Sequence, residues 1–208
     1  MAIKAILFNA EMVRAILEGR KICTRKIVKP QQLIGMLPDK CKNGAPEKFL
    51  KEKKLMFKPY CDMTDIELIN TAYKAPYQLG DILYVRETWK KALNGYYYYE
   101  DWQRNDIADV TKWKPSTRMP KEAARIWLKV TDVRVERLQE VSAESALAEG
   151  ANKYIHTNGG LDENMTITSF IGIWNSTIKK SDIDRYGWDA NPYVWIIEFE
   201  RCEKPEGV

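Results

Sequence analysis

A lysine and a threonine near the start of the chain are the first candidates for chemistry. Lys21 lies three residues before Thr24, in a stretch from Arg20 to Lys29 that holds five basic residues and no acidic one. The stretch places a hydroxyl among cationic groups, and the rest of the chain is expected to act as a scaffold that offers this group an acidic partner. The same composition is typical of a solvated basic loop with a capping hydroxyl. Both interpretations stand at this point.

The hydroxyl of Thr24 becomes a nucleophile only when a base lies close to it. Lys21 can be that base in its neutral form, which burial or the charges of Arg20 and Arg25 would favour. Glu149 is the candidate acidic partner, because it sits at the end of a predicted helix, where the dipole disfavours a carboxylate by roughly 0.3–1 kcal/mol and gives it no local reason to be there. The alternative for Glu149 is an ordinary salt bridge to Arg20 or Arg25.

A second group of residues combines aromatic and basic side chains, as sites for nucleobases and phosphates do. Trp113 is followed by Lys114 and, a little later, Arg118, and its indole is the candidate to stack on a base. Glu87 follows Arg86 and is more typical of an ion-pair partner than of an acid catalyst. The predicted substrate-binding residues are Arg20, Arg25, Glu87, Trp113, Lys114 and Arg118.

The composition sets limits on the class of protein. Its 208 residues fit one domain spanning 1–208, and the excess of 33 Lys plus Arg over 29 Asp plus Glu gives a net charge of only +4. Nucleic-acid binding would therefore depend on local clusters of charge. The four cysteines have no CxxC spacing, so neither a metal nor another cofactor is expected. No secretory leader and no long apolar run are evident, which predicts a cytoplasmic protein with reduced thiols and no membrane partner.

Hydrophobic periodicity and turn signals predict an α+β fold, a small twisted barrel decorated with helices. The prolines and lysines from about 30 to 78 indicate an insertion, with a short helix near 47–54. The other predicted elements are a strand at 3–8, a helix between Asn9 and Gly19, a strand after Gly80-Asp81, a hairpin at Asn94-Gly95, a strand at 125–138, a helix capped by Ser142, a helix beginning at Thr166 or Thr168, and a strand at 193–201. The basic stretch falls between the first helix and the insertion and is predicted to be a loop.

Four short motifs occur in an order that resembles a known family. They are Gly19-x-Lys21-x-x-Thr24-Arg25, Gly80-Asp81 opening a strand, Ala146-x-x-Glu149-Gly150, and a last strand through Glu198-Phe199. In this order they resemble the ASCH domain, over about 1–30, 79–150 and 165–201. Residues 85–89, 114–116, 119–120 and 188–192 are similar to a phage- and prophage-encoded branch, and that likeness covers nearly the whole chain. The resemblance implies a PUA-like small mixed β-barrel with peripheral helices.

The resemblance also implies an activity. Some small ASCH proteins are bacterial amidohydrolases that deacetylate N-acetylated cytidine with a lysine, a threonine and a glutamate. By motif these fall on Lys21, Thr24 and Glu149, although Glu163 is a second candidate for the acid because 163–166 also resembles the local sequence there. Amide hydrolysis needs a nucleophile, a base and a donor for the oxyanion, so the resemblance implies that Glu149 positions water or protonates the leaving amine and that Arg25 holds the oxyanion. Other members only bind RNA, and some are thought to cleave it. The predicted partner is therefore a nucleoside or single-stranded RNA, and the enzyme, the binding module and the ribonuclease remain open.

Overall fold

The chain folds around one mixed β-sheet with helices packed against it. A computed structural model describes residues 1–29, 64–102 and 112–207. Its strands are β1 (Ile3–Leu7), β2 (Cys23–Ile27), β3 (Ile82–Arg86), β4 (Trp89–Ala92), β5 (Gly95–Tyr98), β6 (Trp127–Arg137) and β7 (Tyr193–Cys202). Its helices are α1 (Ala10–Leu17), α2 (Asp65–Ala72), α3 (Tyr99–Trp102), α4 (Ala143–Ala148), α5 (Glu163–Thr177) and α6 (Ile183–Tyr186).

Five strands form the main sheet in the order β1-β3-β6-β7-β2, and β4 pairs with β5 in a separate hairpin. β1 runs parallel to β3, whereas the other neighbours in the sheet are antiparallel. In this order β1 and β2 are the two outer strands, although they flank α1 directly in sequence. Helix α1 and the basic stretch therefore connect opposite edges of the sheet.

Strand β7 has an apolar core on each of its faces. Trp195, Ile197 and Phe199 pack into one cluster with Ile6 and other residues of β1, β3 and β6. The alternate residues of β7 belong to a second cluster that lies against α4 and α5; its buried members include Val194, Ile196, Phe170 and Trp174. A strand that is buried on both faces reads as a continuous apolar run, which explains the strength of the signal at 193–201.

Several predicted elements are confirmed. Asn9 caps α1, accepting a hydrogen bond from the backbone N–H of Met12 at 2.8 Å, and Gly19 follows the helix with a positive φ of 74°. Ser142 caps α4 by accepting from the N–H of Ser145. The Asn94-Gly95 hairpin is the β4–β5 pair, and the strand predicted at 125–138 is β6. The mixed α+β class is thus confirmed.

Two predicted elements are wrong. Helix α5 begins at Glu163 and not at Thr166 or Thr168, because the carboxylate of Asp162 accepts from the N–H of Met165 at 2.9 Å and caps the helix earlier. The basic stretch is not all loop, since residues 23–27 form β2 against β7. The helix predicted near 47–54 lies outside the described residues. The described part of the predicted insertion contains α2.

Gly150 ends α4 and sets the position of Glu149, which makes it the glycine of most consequence for the site. Its φ is +95°, and a Cβ there would lie 3.1 Å from the Cβ of Ala15. Gly150→Ala is expected to lower the free energy of unfolding by about 1–3 kcal/mol, because it adds backbone strain and a contact with α1. Urea denaturation would measure this change.

Gly172, in the middle of α5, is the matched control. A Cβ at Gly172 would meet nothing within 4 Å, and the residue has ordinary helical geometry. Gly172→Ala should therefore raise the free energy of unfolding by about 0.4–1 kcal/mol. Equal effects of the two substitutions would contradict the role given to Gly150.

Candidate active site

Lys21 is buried in the interior, not exposed on a loop. The backbone turns sharply after α1, where the N–H groups of Arg20 and Lys21 both donate to the carbonyl of Ala15, at 2.8 and 3.0 Å. The next residue, Ile22, donates to Ala148 at the end of α4. These bonds direct the Lys21 side chain inward, where its exposed fraction is 0%. The interpretation as a solvated basic loop is wrong for Lys21.

The ammonium group of Lys21 has three hydrogen-bond acceptors. Its Nζ lies 2.8 Å from the carbonyl oxygen of Cys23, 2.9 Å from that of Glu149 and 3.2 Å from Oε2 of the Glu149 carboxylate. An ammonium carries three N–H donors, so these acceptors occupy all of them. The ring of Phe8 lies 5.5 Å from Nζ and adds a cation–π contact.

Glu149 joins Lys21 to Arg25. An N–H of the Arg25 guanidinium donates to Oε1 of Glu149 at 2.9 Å, and another donates to the hydroxyl of Ser145 at 2.7 Å. The Arg25 side chain has no exposed surface and lies 5.3 Å from the centre of the Phe170 ring. We call Lys21, Arg25 and Glu149 the buried ion trio. The two cations of the trio explain why a carboxylate occupies position 149, although the helix dipole disfavours it there.

The alternative of a salt bridge from Glu149 to Arg20 or Arg25 is partly realised. The bridge to Arg25 is present, and Lys21 forms a second one. Arg20 instead pairs with Glu18 at 2.7 Å on the surface. Glu163, the other candidate acid, is exposed in the first turn of α5. Of the two glutamates, Glu149 is the one in contact with Lys21.

A cavity of about 570 Å³ opens beside the trio. Thr24, Arg25 and Glu149 lie on its wall, whereas Lys21 lies behind the carboxylate that it contacts. The remaining wall includes Phe8, Asn9, Lys26, Thr88, Ser116, Phe170, Ile173, Trp174 and Thr177. The cavity thus combines one carboxylate, two cations, several hydroxyl groups and aromatic rings. A smaller cavity of about 360 Å³, which Arg20 lines, touches Glu149 as well.

Strand register divides the side chains of β2 between two faces. Thr24 is paired with Ile197 and Lys26 with Trp195, so both face the same core as those residues, whereas Arg25 is paired with Ile196 and faces α5. The Thr24 hydroxyl makes no hydrogen bond to any described residue. Lys26 likewise has no ion pair within the described ranges, and burial first, then the charge of Lys21, holds its pKa below the ordinary value.

The predicted aromatic and acidic binding residues lie elsewhere. Glu87 is buried and bound through both carboxylate oxygens by Arg125, at 2.9 Å each, and burial raises its pKa despite that partner. Trp113 packs edge-on against Tyr99, with ring centres 5.5 Å apart. Lys114 lies over the ring of Trp89 at 5.0 Å, and Arg118 is exposed. None of these four lines the cavity, so the structure does not bring them together with Thr24 there, and their role in binding stays a prediction.

The sequence interpretation missed several residues of the cavity wall. Ser116 and Thr88 fall inside the motifs 114–116 and 85–89, but the binding residues predicted from those motifs are their charged neighbours Lys114 and Glu87. A prediction of 23–27 as a strand would have placed Lys26 on the same face as Thr24 and so made it a candidate site residue. Phe170 and Trp174 lie four residues apart on α5, a spacing that predicts a buried helix face but not which cavity that face covers.

No family model and no curated protein matches the chain. A crystal structure of an ASCH domain from Lactobacillus crispatus JV V101 is similar, with a TM-score of 0.41 and 11% identity over 96% of this chain and 79% of that one. Among the helices of the described ranges, none is long and apolar enough to span a membrane. No group of three His, Cys, Asp or Glu residues able to hold a metal ion occurs in 1–29, 64–102 and 112–207.

Removing the charge of Glu149 should destabilise the fold. In Glu149→Gln, Lys21 and Arg25 stay buried without their shared anion, which should cost about 3 kcal/mol in the free energy of unfolding. Urea denaturation would measure it. Glu144→Gln is the control, because Glu144 is exposed in the first turn of the same helix and should change stability by less than about 1 kcal/mol. Similar losses in both variants would show that the trio is not coupled as described.

The Cys23 thiol should be unreactive in the folded protein. Burial, with a smaller contribution from Glu149, raises its pKa to about 12 from an ordinary 9.0. At pH 9 the folded protein should resist alkylation by iodoacetamide at Cys23, whereas the urea-unfolded chain reacts, as peptide mass spectrometry would show. Because the folded pKa is raised, the stability from this group is complete below pH 9 and is lost as the pH rises toward 12. Rapid labelling of Cys23 in the folded state would contradict its burial.

Proposed function

We propose that the chain is a PUA-like ASCH domain protein that hydrolyses an N-acylated cytidine at the 570 Å³ cavity. The observation that carries the proposal is that Lys21, Thr24 and Glu149, from three different elements, lie on or directly behind the wall of one cavity. These are the positions that the ASCH motifs select, and 128 residues separate Lys21 from Glu149 in sequence. A cavity of this size is within the usual range for small-molecule sites, about 300–1,000 Å³.

The contacts favour Glu149 as the proton acceptor. Its two oxygens each receive one hydrogen bond from the trio, and a carboxylate has about four acceptor positions, so it can still take a proton from a nucleophile in the cavity. A neutral Lys21, as expected of a base, would have only two N–H donors for its three acceptors. In our proposal Lys21 therefore holds the carboxylate in place, while Arg25, on the cavity wall, is the donor to the developing oxyanion.

Thr24 supplies the hydroxyl. It lies on the cavity wall and has no hydrogen bond to the described residues, so its Oγ1 is available to the acyl group of a substrate. The hydroxyl attacks the acyl carbon while its proton passes to Glu149, and Glu149 returns the proton to the amine nitrogen as the C–N bond breaks, which leaves an acyl ester on Thr24. A water that gives a proton to Glu149 then attacks this ester, and the proton returns to the Thr24 oxygen as the carboxylic acid leaves. The sum is amide plus water giving a carboxylic acid and the free exocyclic amine.

Aromatic walls fit a nucleobase. Phe8, Phe170 and Trp174 lie around the cavity, and stacking on an aromatic ring contributes about 1–3 kcal/mol per base. The hydroxyls of Thr88 and Ser116 are partners for the polar edge of the base. This combination supports a nucleoside rather than an aliphatic amide as the substrate.

A second candidate function, binding of single-stranded RNA without catalysis, has its own observation. The exposed cations Lys91, Lys112, Lys114 and Arg118 occur on β4 and on the segment that forms a bridge with Trp89. Basic side chains beside aromatic rings are typical of a surface that follows a nucleic-acid backbone. If this is the function, charge removal at Lys114 weakens RNA binding in a salt-dependent way while changes at Thr24 leave it unaltered.

The test compares hydrolysis of N4-acetylcytidine by the wild type and by three variants. Thr24→Val and Lys21→Met should each lower kcat/KM at least 100-fold, because they remove the nucleophile and the support of the carboxylate, whereas Thr24→Ser should keep part of the activity. Chromatographic separation of cytidine measures turnover, and circular dichroism checks that each variant is folded.

Lys129→Met is the control, since Lys129 is half exposed on β6 and pairs with Glu200, and neither residue lines the cavity. It should keep full activity. If Thr24→Val hydrolyses N4-acetylcytidine as fast as the wild type, the role assigned to Thr24 is refuted. If the wild type binds acylated cytidine but does not hydrolyse it, the proposed function is refuted.

A further inference from the structure

The cavity beside the trio has an excess of positive charge. Lys21, Arg25 and Lys26 are cations at or behind its wall, and Glu149 is the one acidic residue among the described residues that line it. Glu149 compensates one of these charges, and two remain. An N-acylated cytidine is neutral and would leave the excess uncompensated. The charge balance therefore points to a ligand that also carries a negative group.

Lys26 is the cation best placed to meet such a group. Its side chain is half-buried, it lines the cavity, and it has no carboxylate within salt-bridge distance in the described part of the chain. Keeping an ammonium partly out of water without a counter-ion is unfavourable. This cost is consistent with the lowered pKa of Lys26, which burial causes first and Lys21 second. An anion bound next to Lys26 would relieve it.

A second space continues from Lys26. A cavity of about 440 Å³ shares Lys26 and Ile27 with the first, and its described lining includes Lys29 and Lys74 but no acidic residue. The rings of Tyr73, Tyr77 and Trp195 form most of its remaining wall. Lys26 thus lies at the junction of two cavities. The 570 Å³ cavity has a carboxylate and hydroxyl groups, and the 440 Å³ cavity has lysines and aromatic rings.

We propose that the substrate is phosphorylated, and that Lys26 binds its phosphate at the junction of the two cavities. Lysine suits this role as a compact charge with three donors. The phosphate belongs either to a free nucleotide or to the backbone of an RNA whose acylated base enters the 570 Å³ cavity. Lys29 and Lys74 then face the continuation of the ligand, a second phosphate or the next nucleotide.

Strand geometry agrees with this division. Thr24 and Lys26 lie on one face of β2, two residues and hence about 6.5–7 Å apart along the strand. A ligand with its reacting base beside Thr24 and Glu149 would extend its phosphate along the strand toward Lys26. This step rests on the proposed function for the position of the base, whereas the binding of phosphate by Lys26 does not depend on hydrolysis.

Binding titrations with cytidine, cytidine 5′-monophosphate and a short cytidine oligonucleotide test the proposal. At low salt the monophosphate or the oligonucleotide should bind the wild type at least tenfold more tightly than cytidine. Lys26→Met should remove that advantage while leaving the affinity for cytidine within twofold, and Lys26→Arg should restore most of it. Lys129→Met, on an exposed part of β6, is the control and should behave as the wild type.

The pH and salt dependence add independent readouts. Because the pKa of Lys26 is lowered, phosphate binding should weaken at a pH below that at which an ordinary lysine loses its charge, and Lys26→Arg should abolish this change. For the oligonucleotide, Lys26→Met should reduce the slope of log K against log salt by about 0.7, the loss of one phosphate contact. A larger advantage for the monophosphate identifies a free nucleotide as the source, and a larger one for the oligonucleotide identifies RNA.

The outcomes separate this proposal from the proposed function. Equal affinities for cytidine, its monophosphate and the oligonucleotide, or a phosphate advantage that survives in Lys26→Met, would overturn the phosphate site even if acylated cytidine is hydrolysed. A phosphate advantage that depends on Lys26 would support the site even in a protein that hydrolyses nothing. Circular dichroism of Lys26→Met confirms that any loss comes from a folded variant.

Discussion

Two buried cations that share one buried carboxylate are the interaction on which the rest of the site depends. Glu149 accepts from Lys21 through one oxygen and from Arg25 through the other, and none of the three side chains has more than 6% of its surface exposed. The trio connects the turn after α1, the edge strand β2 and the end of α4. The end of α4 is more than 120 residues from the other two in sequence, so the trio sets the geometry of the cavity where these parts meet.

Stability is a poor explanation for such a trio. Desolvation of three charges offsets most of their attraction, and well-packed apolar residues often stabilise a protein at least as well as a buried ion pair. The trio also leaves a net positive charge in the interior. A carboxylate held at a defined position on a cavity wall, with hydroxyls and rings around it, is what a site for proton transfer needs. These features support the proposal that the trio belongs to a functional site.

Local sequence signals predicted most of the described secondary structure. They failed where one segment carried signals for two different structures. The start of α5 was misplaced because Asp162 caps the helix, although Thr166 and Thr168 offered the same chemistry later. The sequence predicts a loop where β2 lies, because the charged residues of β2 obscure the alternation of polar and apolar residues that indicates a strand. Glu87 and Trp113 are predicted binding residues; in the structure Glu87 pairs with Arg125, Trp113 packs on Tyr99, and neither lines the 570 Å³ cavity.

The sequence by itself determined the helix caps, the hairpin, the strong strand β7 and the candidates Lys21, Thr24 and Glu149, because each rests on a pattern that spans a few residues. Only the tertiary structure decided that Lys21 is buried, that Arg25 shares Glu149, and that Lys26 joins two cavities. These facts depend on the order of strands in the sheet and on which face α5 covers. Such contacts join distant segments, and no local pattern of residues encodes them.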